Sequence, residues 1–272
     1  MPADTTITAM GLIHEALTQI ARNRRWFLPI MGVIWLLQLP SFFGAENFIP
    51  LDAMELMGLP PGAASLIPGI IVMLAVYIGT AWSAVGWHRL TLMDEKPAQA
   101  LPRWHTQPIL GYFVVSMFLP LLTWGLPALA FLPVLALLRA LDASMTLTEI
   151  AALPAGVMAI WLSLRLSPVQ VSRAIQNPVH IAEAFRRTAR MSRPLWGVAL
   201  LGCLFLGALI KSQMLVTPLL TDAEGYYLSD TVMFLDGIFF WATFFLFFLV
   251  TISIFNTIYR HMAPDAGAPE SR

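Results

Sequence analysis

The chain alternates between long apolar runs and short polar segments. Six runs stand out, at residues 26–43, 64–87, 109–138, 147–164, 194–210 and 231–258. About 20 helical residues cross roughly 30 Å of hydrocarbon, so each run is predicted to be a membrane helix. The third run is too long for one upright crossing, at about 45 Å if helical throughout. It also holds Pro120, Pro127 and Pro133, each of which removes a helix hydrogen bond. It is either one bent span or the two legs of a hairpin.

Charge separates these alternatives. Lys and Arg in short loops stay on the cytoplasmic side. With six spans and a cytoplasmic N-terminus, that side receives 14 of the 16 basic residues, and only Arg139 and Lys211 fall outside. A hairpin in the third run would throw the Arg-rich segment 165–193 outside, so one bent span is expected. Glu46, Asp52, Glu55, Asp222, Glu224 and Asp230 then lie in outer loops. Helix ends follow from capping patterns. Thr146 and Glu149 have capping-box spacing ahead of the fourth span, and Asp52 with Glu55 and Gly58 marks a short outer helix. Asn177-Pro178 reads as an N-cap and first-turn proline.

Composition agrees with lipid as the solvent. Hydrophobic residues make up 58% of the chain and charged residues 12%. That is about half the charge of a typical soluble domain. Residues 1–21 hold no Lys or Arg and no apolar run, so the first span is expected to be its own uncleaved targeting signal. The single Cys203 excludes an intrachain disulfide.

One polar segment occurs twice. IHEALTQIARNRR (13–25) and IAEAFRRTARMSR (181–193) are related by a shift of 168, with six identities in thirteen, among them Ala16 on Ala184, Arg22 on Arg190 and Arg25 on Arg193. Each leads into an apolar run. The following return runs close on Trp87-His88-Arg89 and Tyr259-Arg260-His261. Met10, Ile13, Leu17 and Ile20 fall at helical spacing, as do Val179, Ala182, Phe185 and Ala189, which predicts two interfacial amphipathic helices. The copies lie an even number of spans apart, so they are parallel repeats, unlike inverted-repeat transporters. The expected architecture is an all-α, polytopic six-span membrane bundle forming one domain over residues 1–262. It comprises repeat units 7–92 and 175–262, a middle hairpin 108–168, and a disordered tail at 263–272.

WHRL after the second span and RLSPVQVSRAI…NPVHIAEAFRRTAR between the fourth and fifth resemble the YciC-like bacterial membrane proteins and the membrane domain that accompanies some glycerophosphodiester phosphodiesterases. The resemblance covers nearly the whole chain. It implies a six-span bundle of a bacterial inner membrane with an Arg closing the fourth span, and no established activity for a stand-alone member. The phosphodiesterase activity belongs to a separate soluble domain, for which this chain has no room.

Arg186, Arg187, Arg190 and Arg193, with Arg22 and Arg25, serve as topology anchors and are the candidate contacts for anionic lipid or a protein partner. Lys211 and Asp236 are a candidate intramembrane pair. Arg139 and Asp142 have the spacing of a local ion pair. The five histidines show no HxxxH or HExxH spacing, and no catalytic, cofactor, metal or nucleic-acid motif is present. The function expected is a non-enzymatic membrane component that binds lipid or another membrane protein in envelope maintenance. The alternative is a small-molecule or lipid carrier, and a membrane-embedded enzyme comes third. A polar cavity at mid-membrane would favour the carrier.

Overall fold

The computed structural model describes residues 7–32, 66–97, 101–221 and 228–262. Among these the regular structure is helical, with no strand. Four stretches are long and apolar enough to cross a membrane: Thr106–Ala140, Thr146–Ala174, Ile181–Ser212 and Phe234–Met262. Over the described residues the chain is all-helical, with the length and apolarity of membrane-spanning helices. Most of run 26–43, the start of run 64–87, the loop carrying Glu46, Asp52 and Glu55, the pair Asp222 and Glu224, and the tail 263–272 lie outside the described residues.

The helices are α1 (Ala9–Arg22), α2 (Leu66–Met93), α3 (Thr106–Thr123), α4 (Gly125–Ala140), α5 (Met145–Ala174), α6 (Ile181–Arg187), α7 (Ser192–Leu220) and α8 (Asp230–Met262). Helix α5 is the centre, and α2, α3, α4, α6, α7 and α8 all pack against it. The third run is one bent span. Pro127 has no N–H to offer the Thr123 carbonyl, and its ring crowds that carbonyl, so the helix breaks at Trp124. The chain nonetheless continues in the same sense. Trp124 N–H donates to Pro120 O at 2.8 Å, and Ala128 N–H to Trp124 O at 3.0 Å.

Several predicted ends move. The cap of α5 is Ser144, whose Oγ accepts from Leu147 N–H at 3.3 Å, rather than Thr146 with Glu149. A serine two residues earlier can reach the orphan amides first, which frees Glu149 for another helix. Helix α5 also runs past Arg165 to Ala174, so Arg165 does not close the span. Pro168 lies within it, and Ser167 Oγ donates at 2.8 Å to Leu164 O. That carbonyl is the one Pro168 leaves unpaired, and a neighbouring hydroxyl re-satisfies it. Asn177-Pro178 does not start a helix. Gln176 takes a left-handed conformation (φ 59°), and Asn177 N–H bonds back to Ser172 O at 2.9 Å. This is a Schellman termination of α5. Asp142 (φ 46°) ends α4 in the same way, with Ala143 N–H on Leu138 O at 2.9 Å. Arg139 and Asp142 thus shape a helix end through their backbone.

The amphipathic faces are also rotated from those predicted. Helix α1 buries Leu12, Ala16 and Gln19, and leaves Met10 and Leu17 exposed. The second segment buries Ala184, Thr188 and Met191, and exposes Phe185. Protein takes the face with the smallest residue at its centre, because Ala16 and Ala184 allow close backbone approach. Both are fully buried. Met10, Leu17 and Phe185 turn outward, as on an interfacial helix.

The core collects at the α1 end, around Leu12, Val171, Met191, Leu195, Ile258 and Tyr259. Towards the other end, Leu129, Leu137, Leu215 and Phe239 are exposed, as lipid-facing side chains are. Helix α1 meets α7 where Gly197 has no side chain, and a Cβ there would come within 2.8 Å of Ala9 Cβ. Gly197→Leu is therefore expected to force α1 off α7 at a cost of about 1–3 kcal/mol. Thermal unfolding in detergent checks this, with an unchanged midpoint counting against the contact.

Candidate functional site: a bonded polar layer and an apolar chamber

The α1 end of the bundle carries a layer of buried polar side chains. Helices α2 and α8 cross there. His88 is fully buried, with Nδ1 at 2.5 Å from Asn256 Oδ1. Asn256 Nδ2 donates to Thr91 Oγ1 at 2.6 Å, which turns the amide oxygen towards His88. The imidazole proton therefore sits on Nδ1, and Nε2, 3.5 Å from the Tyr112 hydroxyl, is left as acceptor. Trp87 Nε1 donates to Ser253 Oγ at 2.9 Å. Arg260 donates to the Thr91 carbonyl. Sequence reading missed Asn256, Thr91 and Ser253. One signal was available, since the shift of 168 that aligns the two basic segments also places His88 on Asn256.

Arg89 clamps three elements. Its Nε donates to Glu95 Oε2 at 2.8 Å, and a terminal nitrogen donates to Ala174 O at 3.2 Å. The second bond sets a cation at the C-terminus of α5, where the helix dipole is negative. Asp94, left-handed at φ 54°, turns the chain so that Glu95 reaches back. His105 Nε2 lies 2.6 Å from Glu95 Oε1. Burial pushes the Glu95 carboxyl up, but the hydrogen bonds and charges of Arg89 and His105 outweigh this and hold it below its ordinary value.

Arg165 is buried and grips the α6 segment. Its Nε donates to Thr188 Oγ1 at 3.2 Å, another nitrogen donates to Phe185 O, and the guanidinium lies over the Phe185 ring at 3.6 Å. The predicted surface arginines divide by role. Arg187 pairs with Glu183 one turn back, Arg190 donates to His261 O, and Arg25 stacks on Trp26. Arg22, Arg186 and Arg193 are exposed. His261 Nε2 in turn meets Glu15 Oε2 of α1 at 2.9 Å.

Lys211 reaches Glu149 of α5 at 2.7 Å, a partner that the sequence reading did not give it. Asp236 lies two turns into α8. Among the described residues, no three of His, Cys, Asp and Glu converge as metal ligands.

Beside this layer, α5, α7 and α8 enclose a chamber of about 710 Å³, lined by Ile160, Leu164, Val198, Phe205, Val250 and Ile254 among others, with Ile13 of α1 at one end. A smaller cavity of about 230 Å³ lies between α2, α3, α5 and α8. It is ringed by Thr80, Tyr112, Ser116, Ser163, Gln170 and Thr251. Three of its hydroxyl protons are committed. Thr80, Ser163 and Thr251 each donate to the carbonyl one turn back on their own helix, at 2.7, 2.9 and 2.8 Å. No family model, curated protein or solved structure matches the chain.

Two measurements test the polar layer. Asn256→Leu strands the His88 donor in a dry site and is expected to cost about 1–3 kcal/mol of unfolding free energy. The His88→Leu/Asn256→Leu double variant should lose less than the sum of the singles. Additive losses would show that the two side chains do not interact. For Glu95 the sign is fixed by its lowered pKa. Its stabilisation is present above the unfolded carboxylate value and is lost as pH falls through the lower folded one. The melting temperature should therefore drop more steeply below about pH 4 in the wild type than in Glu95→Gln.

Proposed function

We propose that this is a six-span protein of a bacterial inner membrane with both ends cytoplasmic. In this reading it is built from two parallel copies of a helix-plus-hairpin unit around a middle hairpin. It acts without catalysis, binding membrane lipid or a membrane-protein partner in envelope maintenance. Two observations support the duplication. An amphipathic helix and a 3-10 turn follow one another twice, around residues 24–26 and 188–191, and each turn leads into helical backbone. His88 also meets Asn256, the residue 168 positions on, which is the offset of the basic repeat.

The lipid reading rests on the large chamber. Its walls are hydrocarbon, its position is between spans, and exposed Arg186 and Arg193 stand at the same end of the bundle as its Ile13 floor. A carrier of polar solutes would need free hydrogen-bonding groups along a path. In the smaller cavity the hydroxyls of Thr80, Ser163 and Thr251 are already bonded to their own helices. The carrier stays second for that reason.

Native mass spectrometry of protein extracted from its own membranes tests the reading. An anionic lipid should survive extraction with the wild type and be largely lost from Arg186→Gln/Arg193→Gln. Retention of a second protein in fixed ratio, unaffected by that variant, would replace lipid with a partner. Retention of neither would end the proposal.

A further inference from the structure

The chamber identifies what part of a lipid it takes. Its volume of about 710 Å³ falls in the roughly 300–1,000 Å³ range of ligand sites. The hydroxyl residues in its lining are Ser163 and Thr251, and both hydroxyls are spent on backbone carbonyls. A sugar, nucleotide or amino acid moved into it would give up many hydrogen bonds to water and find in return only the Trp124 indole N–H and the lone pairs of those two hydroxyls. A hydrocarbon chain gives up nothing.

The chamber is closed at one end and open at the other. Leu164, Val198 and Ile254 are buried near its Ile13 floor. Leu201, Phe205 and Leu246 are 43%, 51% and 56% exposed, so its rim faces outward between α7 and α8. Helices α7 and α8 span the gap between themselves with the stacked rings of Phe205 and Phe247, 6.0 Å between centroids. Both helices pack on α5. What surrounds such a rim on a membrane-spanning helix is lipid.

The outer face of α7 supplies the rest. Arg193, Leu200 and Leu204 are exposed. They follow one another at spacings of seven and four, so they form one line along the helix. Leu201 and Phe205 lie beside that line and turn into the chamber. From Arg193 to Leu204 is about 16 Å along the axis, within one leaflet of a roughly 30 Å hydrocarbon core. A cation at the interface, a leucine track below it and an apolar chamber beside the track together match a phospholipid.

We infer that the chamber holds one acyl chain of an anionic phospholipid from the leaflet on the α1 side, entering between α7 and α8, with Arg193 meeting the phosphate. This deepens the lipid-binding reading above and rests on it.

Gly202 provides the test. It lines the chamber, and a Cβ built on it meets only the Ile160 side chain, at 3.9 and 4.0 Å. Gly202→Phe thus places a ring in the chamber without a backbone clash. Gly207, on the same helix with nothing within 4 Å of its Cβ, is the control. Wild type, Gly202→Phe and Gly207→Phe are reconstituted in nanodiscs of phosphatidylglycerol or phosphatidylcholine, and bound lipid is counted by native mass spectrometry after collisional activation. Wild type and Gly207→Phe should keep one phosphatidylglycerol, and Gly202→Phe should keep at least about tenfold less. Val250→Phe fills the same chamber from α8 and should do likewise if Gly202→Phe does not fold. Full retention in a folded filled variant overturns the acyl site, while arginine-dependent retention would still carry the lipid reading. Equal retention of phosphatidylcholine overturns the role of Arg193. Loss of lipid from the wild type itself overturns both.

Discussion

A polar group left unpaired in hydrocarbon costs several kcal/mol, and this cost orders the bundle. It explains why the buried charged side chains and Asn256 gather at the α1 end and bond across helices. It also explains why the hydroxyls deeper in the bundle turn back on their own helices. Ser167 covers the carbonyl that Pro168 strands, and Thr80, Ser163 and Thr251 each bond one turn back. The exceptions among the described residues are few: the Gln19 amide, Ser83 Oγ and Arg173 Nε are buried without a partner. What remains between the spans is apolar surface, and where α7 and α8 part, that surface becomes the chamber.

The same constraint sorts the arginines. Arg89 and Arg165 are buried, and each offsets its burial with several partners from separate elements: Glu95 and the end of α5 for Arg89, Thr188 and the Phe185 carbonyl and ring for Arg165. They tie the loops to the central helix. Arg22, Arg186 and Arg193 keep to the surface and remain available to headgroups. One residue type thus serves two purposes, and burial with bonding distinguishes them.

Much of this was legible in the sequence. Apolar run length indicated the helical membrane class and located the four spans described, and charge asymmetry chose the bent third span over a hairpin. Other features were hidden for physical reasons. Capping depends on which hydroxyl reaches the first free amides, so spacing favoured Thr146 where geometry uses Ser144. Amphipathic periodicity marks an apolar stripe but not its neighbour. The apolar stripe of α1 is broad, and close approach at Ala16 and Gly197 decided which edge of it meets protein. Lys211 was assigned by membrane depth to Asp236, yet it bonds to Glu149, which the shifted cap set free. A chamber has no sequence signature, because it is the space left by helices that diverge.

The meeting of His88 and Asn256 bears on how such a bundle could arise. In two parallel copies related by a two-fold axis along the membrane normal, only residues on the axis touch their own equivalents. Residues 88 and 256 stand 168 apart, and the bonds around them, Trp87 to Ser253 and Asn256 to Thr91, span 166 and 165 positions. On the duplication proposed above, α2 and α8 would cross at that axis. Two identical residues facing each other across it pair poorly. Two histidines would have to adopt opposite tautomers, and two asparagines would have to bond in a single reciprocal geometry. A histidine that donates from Nδ1 and an asparagine oriented by Thr91 satisfy each other without that conflict. On that duplication, a difference between the copies at this one position is what dry burial on an axis would favour.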